Sequence, residues 1–104
     1  MSKKFSLAVA PTFKRNVPIP VPGSRAIDVE FTFKHKTRDE FKKFLDEIEG
    51  REDVDLIMEI ASGWGLEDAF DEENIDTLIQ NYLGSARAIV ETYIGELTSA
   101  RKGN

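Results

Sequence analysis

The spacing of apolar residues changes once along this chain, at Thr37, and that change limits what the chain can fold into. Before it, Ile27, Val29, Phe31 and Phe33 share one parity and Asp28, Glu30, Thr32 and Lys34 the other. That is the period-2 pattern of a strand with one buried and one wet face. After it, Phe41, Phe44, Leu45 and Ile48 recur at i, i+3, i+4 and i+7, the stripe of an amphipathic helix. The pattern predicts an α+β fold: an N-terminal antiparallel β-hairpin followed by about four α-helices.

The hairpin's first strand is read from Val17, Ile19 and Val21, which alternate with Pro18, Pro20 and Pro22, and Pro22-Gly23-Ser24-Arg25 reads as the turn. Alternate N–H groups of a strand point to opposite neighbours, so three prolines of one parity strip the donors from one side only. Such a strand belongs at a sheet edge. A polyproline ligand spaces its prolines as P-x-x-P, which the P-x-P-x-P here does not match. Phe5, Leu7 and Val9 alternate with Ser6, Ala8 and Ala10, which permits a third short strand ending at Pro11.

Four helices follow. Thr37-Arg38-Asp39-Glu40 is a capping box opening the first, and Gly50 is expected to stop it. The second is expected from about Glu52 to Ser62, with Val54, Ile57, Met58 and Ala61 on one face and Leu56 and Ile60 widening it; Gly63-Trp64-Gly65 should end it. Asp71 caps the third, whose stripe is Ile75, Leu78, Ile79 and Tyr82. The fourth begins after Gly84-Ser85 and carries Ala86, Ile89, Tyr93, Leu97 and Ala100. Gly95 inside it costs roughly 1 kcal/mol relative to Ala, for which close packing against a neighbour is the expected reason.

At 104 residues the chain reads as one domain, residues 1–104, with a β-hairpin region at 5–35, a helical region at 37–101 and a polar tail at 102–104. The absence of cysteine rules out a disulfide framework and thiolate metal sites. No apolar run approaches a membrane span, and Met1-Ser2-Lys3-Lys4-Phe5 does not read as a signal peptide, so the expected compartment is the cytoplasm. Charge is unevenly distributed: +5 over residues 1–36, −11 over 37–83 and +1 over 84–104, for a net −5. The acidic middle disfavours nucleic acid. It reads as solvated helix faces, or as a docking surface for a basic partner.

Chemistry is sparse. His35, the only histidine, lies between two lysines with no nucleophile in view, so it reads as a strand-end residue. Asp53, Asp55 and Glu59, and the cluster Glu67, Asp68, Asp71, Glu72 and Glu73, match no EF-hand spacing. A two-carboxylate hydrolase, whose acids meet only in space, stays open as the least favoured reading. No catalytic residue, metal ligand or cofactor site is assigned. Trp64 reads either as a core plug at a helix stop or, with Leu66 and Phe70, as an apolar patch that grips a partner.

The segments VPIPVPGSRAIDVEFTFKHKTRDEFKKFL and SGWGLEDAFDEENIDTLIQNYLGSARAIVETYIGELTSARKGN resemble the tail assembly chaperones of long, non-contractile-tailed bacteriophages and prophages. The likeness runs from about Lys4 to Asn104, and FTFKHKTRDEF is among its most specific parts. Family members usually read N-Y-P-G where this chain has Asn81-Tyr82-Leu83-Gly84, which bears on the sharpness of that turn. The resemblance implies a non-enzymatic morphogenesis factor that binds and solubilises the tape measure protein in the host bacterial cytoplasm and is absent from the mature virion. It implies as well a longer product of −1 ribosomal frameshifting that recruits tail tube protein. Lys102-Gly103-Asn104 can be spelled AAG GGA AAC or AAG GGA AAT, either of which contains a slippery heptamer. Weak self-association is expected, through helix surfaces rather than sheet edges. The alternative from a different class is an acidic adaptor or inhibitor docking on a basic protein.

Overall fold

In the computed structural model, the described residues are 5–98. The order is β1 (Thr12–Ile19), β2 (Ile27–Lys34), α1 (Arg38–Asp46), α2 (Asp53–Ile60), β3 (Ala61–Trp64), α3 (Glu72–Asn81) and α4 (Ser85–Thr98). This is the expected α+β architecture: an antiparallel sheet and four helices. The tail at 102–104, on which the frameshifting expectation falls, and Ala100 of the α4 stripe lie outside the described residues.

The hairpin pairs β1 with β2 from Thr12↔Lys34 to Ile19↔Ile27. Its turn places Gly23 at φ 77°, a left-handed conformation glycine adopts without strain, and the Ser24 N–H donates to the Val21 carbonyl at 3.0 Å. β1 is an outer strand, as its prolines require. It starts earlier than expected and ends at Ile19, so only Pro18 lies within it; Pro20 and Pro22 belong to the loop.

The third strand is not where the sequence placed it. Residues 5–10 form no strand, and Phe5, Leu7 and Val9 stand 90%, 93% and 59% exposed. Instead Ala61–Trp64 pairs antiparallel with the other side of β2, giving the order β1-β2-β3. The expected second helix therefore stops at Ile60, where Ala61 turns extended at φ −131°, ψ 153°. Four residues reading Ala-Ser-Gly-Trp, three of them small, are too few to show an alternation. A bulge between Thr32 and Phe33 further breaks the register.

Thr37 and Glu40 form the expected capping box: Thr37 Oγ1 accepts from the Glu40 N–H at 3.2 Å, and the Glu40 carboxylate accepts from the Thr37 N–H at 2.9 Å. α1 then ends at Asp46, and Gly50, at φ 85°, turns the chain toward α2 rather than stopping α1. Phe44 is buried, whereas Leu45, expected on the same stripe, is exposed. α2 buries Leu56, Ile57 and Ile60, with Val54 and Met58 at the rim of the core.

The core forms between one face of the sheet and the helices. Val17, Ile19, Phe31 and Phe33 project into it and meet Phe44, the α2 face, Ile75 of α3, and Ala86, Ile89 and Tyr93 of α4. Tyr93 sits at its centre, its ring 5.3 Å from that of Phe33 and 5.9 Å, edge-on, from that of Phe44. The other hairpin face, bearing Lys14, Asn16, Pro18, Asp28 and Glu30, is exposed.

Two glycines of the C-terminal half differ in their surroundings. A Cβ on Gly84 would lie 3.0 Å from Pro20 Cγ, so this glycine lets the α3–α4 turn lie against the hairpin loop. A Cβ on Gly95 would meet nothing within 4 Å, so close packing does not account for it.

Candidate partner-binding surface

Trp64, Leu66 and Phe70 lie on β3 and on the loop joining it to α3. Trp64 is half-buried. Its indole packs edge-on against Phe31 at 5.9 Å and against Phe70 at 5.1 Å, with an interplanar angle of 89° to the latter. Its Nε1–H donates to the Asp68 carbonyl at 2.8 Å, drawing the loop back over the ring. From the other end, Asn74 Nδ2 donates to the Ala69 carbonyl at 2.8 Å, and Asp71 Oδ1 accepts from the Asn74 N–H at 2.9 Å to cap α3. The loop is held at both ends by side-chain bonds to its backbone.

The two readings of Trp64 thus meet in one residue. One edge joins the core at Phe31, while part of the ring remains at the surface with Phe70 beside it. Leu66 stands 38% exposed in the same loop. Glu67, Asp68, Asp71, Glu72 and Glu73, in the same loop and the first turn of α3, are all exposed.

Glu59 and His35 have structural surroundings. Glu59 bridges two cations, Lys36 Nζ at 2.8 Å and Arg51 Nη1 at 2.6 Å, tying α2 to the segments on either side of α1. Burial works against its charge, but the hydrogen bonds from Lys36 and Arg51 prevail and hold its pKa below the ordinary value. Among the described residues, no three His, Cys, Asp or Glu side chains are grouped to hold a metal ion. His35 is half-buried, and its backbone N–H donates to the Pro11 carbonyl at 2.8 Å. The groove between the hairpin and α4, of about 690 Å³, is open and polar, lined by Lys14, Asn16, Glu30 and Glu91 among others and bridged by the Arg15–Glu96 ion pair at 2.9 Å.

Sequence reasoning missed a second apolar feature. Leu83, in the α3–α4 turn, is 87% exposed. It stands between a depression lined by Pro20, Val21, Pro22 and Ala26 and another lined by Leu56, Ala86 and Val90. It occupies the position where the resemblance implies a proline, and that departure was the available signal. The turn closes without the proline, the Ser85 N–H donating to the Tyr82 carbonyl at 2.9 Å.

Among the described residues no helix is long and apolar enough to cross a membrane. A family model described as phage tail assembly chaperone matches residues 1–104, the whole chain. No curated protein and no solved structure matches it. On the whole-chain match, the chain belongs to the phage tail assembly chaperone family, whose role is to assist the building of a phage tail.

Proposed function

We propose that this protein binds the tape measure protein and keeps it soluble while the tail tube polymerises, using Trp64, Leu66 and Phe70 as part of the gripping surface. The observation that carries the surface assignment is the half-buried Trp64–Phe70 pair, with Leu66 exposed in the same loop and five exposed carboxylates along that loop and the start of α3. Rigidly held aromatic side chains lose little entropy when covered, and large aromatics dominate binding hot spots. Those carboxylates fit basic residues along an amphipathic partner helix. The role is non-enzymatic, in keeping with the family.

The same proposal includes action in the host bacterial cytoplasm, absence from the mature virion, and a longer −1 frameshifted product that recruits tail tube protein. The gene sequence across Lys102-Gly103-Asn104 tests the last point: codons that break the heptamer eliminate slippage there.

The binding test is co-expression with the tape measure protein. Leu66→Asp, at an exposed position, should leave the fold intact and lower the soluble yield of tape measure protein several-fold. A folded Leu66→Asp and a folded Trp64→Ala that both keep full solubilising power would overturn the surface assignment. Binding to unrelated basic proteins, abolished by moderate salt and unchanged in both variants, would favour an acidic adaptor instead.

A further inference from the structure

The segment before β1 has the pattern of a strand but no sheet in its own chain. Phe5, Leu7 and Val9 occupy one parity and Ser6, Ala8 and Ala10 the other, yet all three large side chains stand in solvent. Three alternating apolar residues exposed together are uncommon on a monomer's surface and mark a contact surface.

The sheet offers such a segment one receptive edge. β1 is the other outer strand, but Pro18 removes one of its outward donors and α4 lies alongside it, tied by the Arg15–Glu96 ion pair, so this edge is the poorer template. β3 is the opposite edge, and it has no proline. The Gly65 N–H donates inward to the Glu30 carbonyl at 2.8 Å, so by alternation the Trp64 N–H is aimed at the open side. Ser62, at the bulge, is exposed.

Charge favours the same pairing. Lys3 and Lys4 precede Phe5, while Glu67, Asp68 and Asp71 to Glu73 follow β3. The stripe that motivated association through helix surfaces is already used: Ala86, Ile89 and Tyr93 are in the chain's own core and Leu97 packs against it.

We infer that copies of this chain associate by strand addition, the Phe5–Ala10 segment of one copy pairing with the free edge of β3 in another. Phe5, Leu7 and Val9 then extend the apolar face of the sheet beyond Trp64 and Phe70, while Ser6, Ala8 and Ala10 face water. The inference involves no tail protein and stands apart from the tape measure reading.

The test uses the full chain. Light scattering across a wide concentration range should show a mass rising above the 11.7 kDa of one copy. Leu7→Asp, at an exposed position, should keep the circular dichroism spectrum and weaken association by roughly tenfold or more, as loss of a buried leucine contact does. The chain has no native cysteine, so Leu7→Cys and Ser62→Cys chains can be mixed and joined with a short bis-maleimide that tolerates a small shift in register. A crosslinked mixed pair is the expected product. A strict monomer at every concentration, or association unaffected by Leu7→Asp, overturns the inference. So does a double variant that crosslinks within single chains at high dilution, since the segment would then fold onto its own sheet.

Discussion

The Tyr93 hydroxyl donates to the backbone carbonyl of Lys34 at 2.7 Å, joining α4 to the end of β2 across 59 residues of sequence. The ring is buried against Phe33 and Phe44, and the hydroxyl serves a carbonyl where the strand ladder ends. Burial first, then the charges of Glu59 and Glu40, push the phenol well above its ordinary pKa, so it remains a donor through neutral pH. Tyr93→Phe keeps the packing and removes the bond; a loss of about 1 kcal/mol in urea denaturation is expected. Tyr93→Ala removes the centre of the core as well and should cost about 3–5 kcal/mol, enough to unfold much of a domain this size.

Stability should fall in acid for a specific reason. Glu59, held by Lys36 and Arg51, and Glu40, whose carboxylate accepts the Thr37 backbone N–H, both have pKa values below the ordinary 4.5. The unfolded chain therefore takes up these protons before the folded one does. The stabilisation is fully present above about pH 4.5 and is lost as pH falls through the lowered folded values. Glu59→Gln should flatten the decline of melting temperature between about pH 5 and pH 3 relative to the parent chain. Equal slopes in the two proteins would show that Glu59 contributes little to acid sensitivity.

Features that depend on near neighbours in sequence were legible before the fold was known. The capping box at Thr37, the Asp71 cap and the hairpin turn are each written within four consecutive residues. β3 was not legible because its reason for being a strand lies thirty residues away, in β2's unpaired side. Phe5, Leu7 and Val9 misled for the opposite reason: the alternation states a preference for pairing but not which chain supplies the partner. Leu45 has helical spacing yet faces solvent, since α1 is short and only Phe44 points squarely at the core. Of the site, the pairing of Trp64 with Phe70 was foreseeable from proximity, whereas the indole bond to Asp68 that shapes the loop was not.

The two glycines of the C-terminal half should respond in opposite directions to alanine. At Gly95 the new methyl enters open space on an α-helix, and Gly95→Ala should raise stability by about 1 kcal/mol. At Gly84 the same methyl meets the Pro20 ring at 3.0 Å, so the ring must give by a few tenths of an ångström to admit it. A loss of about 1–3 kcal/mol is expected, as for other overpacked contacts. Thermal melts of both variants, with Pro20→Ala added to Gly84→Ala as a relief of the contact, check the pair. Failure of Pro20→Ala to restore part of the loss would place the strain elsewhere.

Trp64 can be divided into its packing and its hydrogen bond. Trp64→Phe keeps an aromatic ring between Phe31 and Phe70 but removes the Nε1–H that holds the Asp68 carbonyl. Global stability should fall by about 1 kcal/mol, the usual worth of one such bond, with a further loss from the smaller ring. The local effect should be larger than the global one. Amides of residues 65–70 should exchange with solvent faster, while those of β1 and β2 change only as the global stability does, because the loop loses one of the two ties that fix it. If the loop amides keep their protection, the indole bond does not organise the loop, and the apolar packing of Phe70 is what holds the surface in shape.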